Sequence, residues 1–113
     1  MCGIAGIVAN TGVSGSLYWA LYALQHRGQE SGGISTYDKG TVYKYKGYGL
    51  VSEIFSGDIL QSLSGTTGLG HVRYPTTGGS KQENIQPFNF FFRGHSLSIV
   101  HNGNLVNTDE LRY

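Results

Sequence analysis

Cys2 is the one cysteine of the chain. Its position gives it chemistry that an interior thiol lacks. Removal of Met1, usual where residue two is small, leaves a thiol and a free α-amine on one residue. An α-amine titrates at about 7.7–8.0 and a free thiol at about 8.5. The amine can therefore take the thiol proton near neutral pH, and a thiolate is a strong nucleophile. A nucleophile that carries its own base needs no neighbouring histidine. The competing reading is a small buried hydrophobe, the usual fate of a lone cysteine.

Two further segments could serve such a nucleophile. Arg73 falls at the end of an alternating stretch and is followed by Pro75 and Thr76-Thr77. Its planar guanidinium suits bidentate capture of a carboxylate; otherwise it is a surface arginine. His101-Asn102-Gly103-Asn104 carries an Asn-Gly pair after an apolar alternation. That pair is a strong turn signal by itself. It also offers an Asn side-chain amide and a Gly backbone N–H to one oxygen, which is the chemistry of an oxyanion hole. A tight turn is a good way to present both donors, so the two readings agree.

Other chemistries are excluded. His26, His71, His95 and His101 show no metal-ligand spacing and Cys2 has no second thiol, so no metal site is expected. No Gly-Lys-Ser/Thr phosphate loop occurs, and Gly47-Tyr48-Gly49 is only half of a dinucleotide fingerprint. The chain has 113 residues, a net charge of +1 and only 13% charged residues. That balance argues against a nucleic-acid binder, which needs clustered Lys and Arg. A single cysteine excludes a disulfide-stapled scaffold. No apolar run is long enough for a membrane span and no signal peptide is visible, so the expected compartment is the cytoplasm. Eighteen glycines, scattered without a period, suit many tight turns and close backbone approaches.

The elements that must position these residues follow from patterning. Residues 3–9 are expected as a buried strand whose two glycines let something pack closely. Residues 14–27 are expected as a helix, apolar on nearly every side and so sandwiched, with Gly28 as its C-cap. Ile34–Asp38 and Thr41–Lys46 are expected as strands around a Lys39-Gly40 turn. A short helix is expected over Asp58–Leu63. A strand is expected over Gly68–Tyr74, with Leu69, His71 and Arg73 on one face and Val72 and Tyr74 on the other. Loop 77–80 follows. Phe88–Arg93 and Ser96–His101 are strand-like, and Thr108 is placed to cap a helix. Irregular alternation with hairpins indicates antiparallel sheet with helices, an α+β layered fold.

Five blocks, in this order, resemble the class II glutamine amidotransferases. They are Cys2-Gly3-Ile4-Ala5-Gly6, Leu24-Gln25-His26-Arg27-Gly28-Gln29-Glu30, Gly70-His71-Val72-Arg73-Tyr74-Pro75-Thr76-Thr77-Gly78, Glu83-Asn84-Ile85-Gln86-Pro87-Phe88 and His101-Asn102-Gly103-Asn104-Leu105. The resemblance runs through essentially the whole chain. It implies an N-terminal-nucleophile hydrolase, a four-layer αββα sandwich of antiparallel sheets, of which residues 1–113 are the N-terminal portion. It implies L-glutamine as substrate. Cys2 is then the nucleophile, its α-amine the base, and Asn102 with the Gly103 N–H the oxyanion hole. Arg73 holds the substrate α-carboxylate with help from Thr76. Arg27 is a supporting residue and Tyr74 belongs to a loop that closes over glutamine on hinges at Gly78-Gly79.

The wording of the second and third blocks is closest to the branch whose ammonia goes to a phosphoribosyltransferase domain in purine biosynthesis. That domain is absent here and is where Mg²⁺ and phosphoribosyl pyrophosphate are expected to bind. The alternatives are a glucosamine-6-phosphate synthase type of amidotransferase and a non-catalytic domain of the same fold. The family's acidic residue for the substrate α-amine is not matched, Asp109 lying too near the turn. No iron–sulfur cluster is expected in this piece, since one Cys cannot supply four thiolates. The full-length enzyme is expected to be a homo-oligomer, and loss of Met1 alone is expected to complete the site.

Overall fold

The computed structural model describes residues 1–75, 81–103 and 107–111, with the side chains of Thr108 and Asp109 excepted. Strands β1 (Gly3–Val8), β2 (Ser31–Asp38), β3 (Thr41–Tyr48) and β4 (Thr67–Arg73) form one antiparallel sheet in the order β1-β4-β2-β3. Strands β5 (Phe88–Phe92) and β6 (His95–Ile99) form a second, two-stranded antiparallel sheet. Helices α1 (Ser14–Ala23), α2 (Val51–Ile54), α3 (Gly57–Ser62) and α4 (Thr108–Leu111), with 3-10 turns at Gln25–Arg27 and Gln82–Asn84, complete the described elements. The expected antiparallel α+β class is what the chain adopts.

Alternation along the strands sorts the layers. On β2, Ile34 joins the core with Leu17, Leu21, Val51 and Ile54. The neighbouring Ser35 instead hydrogen-bonds Asn89 of β5 through its hydroxyl, at 3.0 Å. One face of the large sheet is therefore covered by α1 and α2, and the other faces the small sheet. On β4 the same rule gives Gly68, Gly70 and Val72 to the helices. A side chain at Gly68 would press within 2.7 Å of Leu17, and one at Gly70 within 3.1 Å of Leu21. These glycines let the two fully buried leucines of α1 seat on the sheet. Full burial of each such leucine stabilises by about 1.5–3 kcal/mol. His71 and Arg73, one register step over, are left pointing between the sheets.

Turn chemistry explains the hairpins. Lys39 and Gly40 have φ of 50° and 88°, and Arg93 and Gly94 have φ of 51° and 79°. Positive φ at both central residues twists in the sense the flanking strands need. The Lys39-Gly40 turn is as expected. The Arg93-Gly94 turn ends β5 one residue before the expected Arg93 and starts β6 at His95.

Several expectations are corrected. Strand β1 is buried on one face only: Ile4 and Val8 are exposed, because β1 lies at the sheet edge with helices on one side. Helix α1 is not sandwiched among the described residues. Its Trp19 and Tyr22 are exposed and pack edgewise on each other, at 5.5 Å between ring centroids. The helix also stops at Ala23 rather than residue 27. The Leu24 N–H is shared between the Ala20 and Leu21 carbonyls, and Gln25–Arg27 tightens into a 3-10 turn. Gly28 then leaves in extended backbone with φ of −168°, so it is not a left-handed cap. Helix α3 runs Gly57–Ser62 rather than Asp58–Leu63, and Ser56 caps it, its hydroxyl accepting the Ile59 N–H. Thr108 is the first residue of α4, and the Asn107 carbonyl receives the N–H groups of Glu110 and Leu111. No helix among the described residues is long and apolar enough to cross a membrane.

Candidate active site

The register of β1 on β4 pairs Gly3 with Val72, which places Cys2 beside Arg73 at one end of the sheet. Both are nearly inaccessible, at 6% and 5% exposure. Each polar atom of Cys2 has a partner. Its backbone nitrogen donates to Asn102 Oδ1 at 3.2 Å. Its carbonyl accepts from Arg27 Nε at 2.9 Å. Its sulfur accepts from the Tyr74 backbone N–H at 3.5 Å. The residue is thus oriented from three directions by segments 25, 72 and 100 positions away.

Each contact has a local cause. The 3-10 turn Gln25–Arg27 swings Arg27 toward the start of β1. Its position is braced by Gln25, whose amide nitrogen donates to the Gly28 carbonyl at 2.6 Å while its amide oxygen accepts the Val51 N–H at 2.8 Å. Gly28 is required for close approach. A Cβ there would collide with the Arg73 carbonyl and come within 2.8 Å of the Tyr74 nitrogen. A larger residue at 28 would push away the strand end that points its N–H at the sulfur. The Cys2 nitrogen is a donor, so the Asn102 oxygen must face it. The Asn102 amide nitrogen is thereby left as a donor for another group.

Arg73 lies 3.8 Å from Glu30, and both side chains are almost buried. The ion pair holds the guanidinium in place beside Glu30. A cleft of about 350 Å³ opens here, lined by His26, Gly28, Gln29, Glu30, Tyr74 and Pro75. Cys2, Arg73 and Asn102 are not among its lining residues; Tyr74 and Glu30, which contact Cys2 and Arg73, are. The Tyr74 side chain is exposed. Gly103 follows Asn102 with φ of 153°, a backbone setting that favours glycine.

The structure therefore brings together Cys2, Arg27, Arg73, Tyr74 and Asn102, and sets Gly103 next to them in the chain. Thr76, the loop 77–80 with its expected hinge, Asn104 and Leu105 lie outside the described residues. Four contributors were not singled out from the sequence. Glu30 and Gln25 stood inside a block that carried the resemblance, with no role of their own. The Tyr74 N–H is a backbone group, which no residue type announces. His71 was placed on the correct face but given no task.

His71 is fully buried, and its Nε2 donates to the His101 carbonyl at 3.1 Å. Burial pushes its pKa down to about 4; the bond to the His101 carbonyl opposes this, and the nearby His101 and Arg73 add to it. In the unfolded chain the imidazole titrates near 6.5. The unfolded state thus holds more protons between these values, and stability rises with pH across that window. The contribution is present above about pH 6.5 and is lost as pH falls toward 4, amounting to about 3 kcal/mol at most. Urea midpoints between pH 7 and 4.5 are expected to fall, and His71→Leu to flatten that part of the profile. A wild-type midpoint independent of pH over this range would contradict it.

The antiparallel α+β fold agrees with the resemblance to the class II glutamine amidotransferases. No family model matches the sequence. Curated relatives do. The chain is 51% identical over 114 residues to an amidophosphoribosyltransferase of Methanothermobacter thermautotrophicus, covering 98% of this chain and 24% of that protein. It is 50% identical over 114 residues to one of Methanocaldococcus jannaschii, covering 99% of this chain and 24% of that protein. Among solved structures, one described as the allosteric regulatory enzyme of purine biosynthesis superposes with a TM-score of 0.87 at 40% identity. The glutamine phosphoribosylpyrophosphate amidotransferase of B. subtilis, complexed with ADP and GMP, superposes at 0.84 and 38%. Each match covers 98% of this chain and 24% of the other. The chain is a homologue of the amidophosphoribosyltransferases and spans about a quarter of their length.

Proposed function

We propose that this chain hydrolyses the side-chain amide of L-glutamine and supplies the ammonia to a phosphoribosyltransferase domain that makes 5-phosphoribosylamine. The observation that carries this is the three-point hold on Cys2 by Asn102, Arg27 and the Tyr74 N–H. A buried cysteine kept only for packing needs no such orientation.

With Met1 removed, the Cys2 nitrogen is an α-amine. It takes the thiol proton, and the sulfur attacks the amide carbon of glutamine. The oxygen becomes an oxyanion, held by the Asn102 amide nitrogen and the Gly103 N–H. The ammonium returns its proton to the amide nitrogen, the C–N bond breaks and ammonia leaves. Water, deprotonated by the same amine, then attacks the γ-glutamyl thioester. The C–S bond breaks and glutamate is released. Arg27 holds the Cys2 carbonyl throughout. Arg73 receives the α-carboxylate of glutamine, a contact in which the resemblance gives Thr76 a share.

Residues 1–113 act in this scheme as the N-terminal portion of the glutamine domain. A thiol, a guanidinium and amide donors do not form the oxygen-rich set that Mg²⁺ requires, so Mg²⁺ belongs with the acceptor domain. The amidophosphoribosyltransferase relatives favour a phosphoribosyl acceptor over a sugar-phosphate isomerase partner. The cytoplasm, where a lone thiol stays reduced, is the fitting compartment.

The test uses a diazo-ketone analogue of glutamine. It is expected to label Cys2 alone, and glutamine to protect against it. Arg73→Lys keeps the charge but loses the planar fork. Losing a charged hydrogen bond costs about 1.5–3 kcal/mol, so KM for glutamine is expected to rise roughly 10–100-fold with kcat little changed. Labelling by the analogue slows in parallel, whereas iodoacetamide labelling does not. Absence of Cys2 labelling in the wild type, or an unchanged KM in Arg73→Lys, would contradict the corresponding assignment.

A further inference from the structure

The turn that carries Asn102 and Gly103 poses a positioning problem. Strand β6 ends at Ile99, where it pairs with Phe88, so the sheet ladder stops short of it. His101, Asn102 and Gly103 are all exposed, so packing does not hold them. Yet the backbone of His101, just before the pair, is held on both sides. Its N–H donates to the Gln86 side-chain oxygen at 2.7 Å. Its carbonyl accepts from His71 Nε2 at 3.1 Å. Two side chains thus take the place of a neighbouring strand.

Both side chains are firmly rooted. His71 is 0% exposed on β4, and Gln86 is 6% exposed. The Gln86 backbone packs so tightly on Gly33 of β2 that a Cβ at Gly33 would lie inside its carbonyl. One arm therefore starts from β4 and the other from a loop packed on β2, in the four-stranded sheet whose edge strand β1 begins beside Cys2. A carbonyl can only accept, so His71 Nε2 carries the proton and the ring is neutral or cationic with that donor in place.

We propose that His71 and Gln86 act as a paired clamp on the His101 peptide, setting the Asn102 and Gly103 donors at the height of the Cys2 sulfur. This rests on the amide-hydrolysis reading above. Neither side chain touches substrate; both are positioning residues. A mispositioned donor leaves glutamine binding intact and weakens only the transition state. A shift of about 1 Å in such a group is enough for a loss on the order of 100-fold.

The experiment compares His71→Leu and Gln86→Met, which remove the donor and the acceptor, with His71→Gln and Gln86→Glu. Glutamine Nε2 lies as many bonds from the backbone as histidine Nε2, and glutamate retains the acceptor oxygen. All are made in the full chain, with Cys2→Ala alongside. For His71→Leu and Gln86→Met, kcat for glutamine hydrolysis is expected to fall roughly 10–100-fold with KM within about twofold. Iodoacetamide alkylation of Cys2 should keep its rate, which shows that the fold and the nucleophile persist. The His71→Gln and Gln86→Glu chains should recover most of kcat. The double variant His71→Leu with Gln86→Met should be no slower than the worse single one, because both side chains hold one peptide.

The clamp is overturned if the removing variants keep kcat within twofold while Cys2→Ala is inactive. It is also overturned if the loss falls on KM, or if the conservative variants are as slow as the removing ones. Undiminished hydrolysis by Cys2→Ala would instead overturn the amide-hydrolysis reading, and the clamp's catalytic role with it.

Discussion

Cys2→Ala is expected to abolish glutamine hydrolysis, with a loss on the order of 10⁴–10⁶-fold, the range seen when a covalent nucleophile is removed. The residue offers the sole thiol of the chain, and nothing else within the described site can form the acyl intermediate. A second arm isolates the base. Expression with Met1 retained leaves the thiol intact but makes the Cys2 nitrogen a peptide amide, which cannot accept a proton. The hydrogen bond from that nitrogen to Asn102 exists with Met1 in place, so geometry is not what is lost. The Met1-retained chain is therefore expected to react with iodoacetamide at Cys2 yet show below about 1% of the hydrolysis rate, since general-base assistance contributes roughly 10²–10⁴-fold. Intact mass sorts the two forms, and ammonia release measures the rate. Equal activity of the two forms would remove the α-amine from the mechanism. Equal activity of Cys2→Ala would remove the thiol.

The parts of this site that sequence exposes are those where residue type alone carries the chemistry. A thiol at position two, a guanidinium at a strand end and an Asn-Gly pair each have few uses. Their order along the chain strengthened the resemblance to a class of glutamine-hydrolysing proteins. Strand positions were also legible, because alternation over five or more residues has a period of its own. It sorted His71 and Arg73 to one face of β4, and Lys39-Gly40 marked the hairpin.

What escaped has a common physical cause, since it depends on partners distant in sequence. The strand order β1-β4-β2-β3 puts Cys2 beside Arg73, and no local pattern encodes which strand sits next to which. Gly28 looked like a helix cap because it follows Arg27. It is glycine because the Arg73 and Tyr74 backbone runs against it. Helix α2 spans only Val51–Ile54 and is too short to show a period. The exposed aromatic face of α1 ran against the expectation of a sandwiched helix. Gln86 stood inside the fourth block with no role of its own, which appears only when the chain returns to place His101 against it.

Asn102→Ala is expected to lower kcat about 10²–10³-fold with KM little changed, the usual cost of one oxyanion donor. Asn102 has a second task, however, because its Oδ1 accepts from the Cys2 nitrogen at 3.2 Å. Asn102→Asp separates the two. A carboxylate keeps an oxygen toward the Cys2 nitrogen, so anchoring survives. It replaces the amide donor with an acceptor of negative charge, which repels an oxyanion and also stabilises the protonated, non-basic form of the amine. If anchoring were the only role, Asn102→Asp would recover activity at raised pH, where the amine is again unprotonated, and Asn102→Ala would not. If the donor matters, Asn102→Asp should be no faster than Asn102→Ala, although both still bind glutamine. Single-turnover acylation measured by rapid quench gives the rate of the step concerned, and glutamine protection against iodoacetamide gives the binding. An active Asn102→Asp chain would move Asn102 from the oxyanion to the amine and leave Gly103 as the remaining donor of the pair.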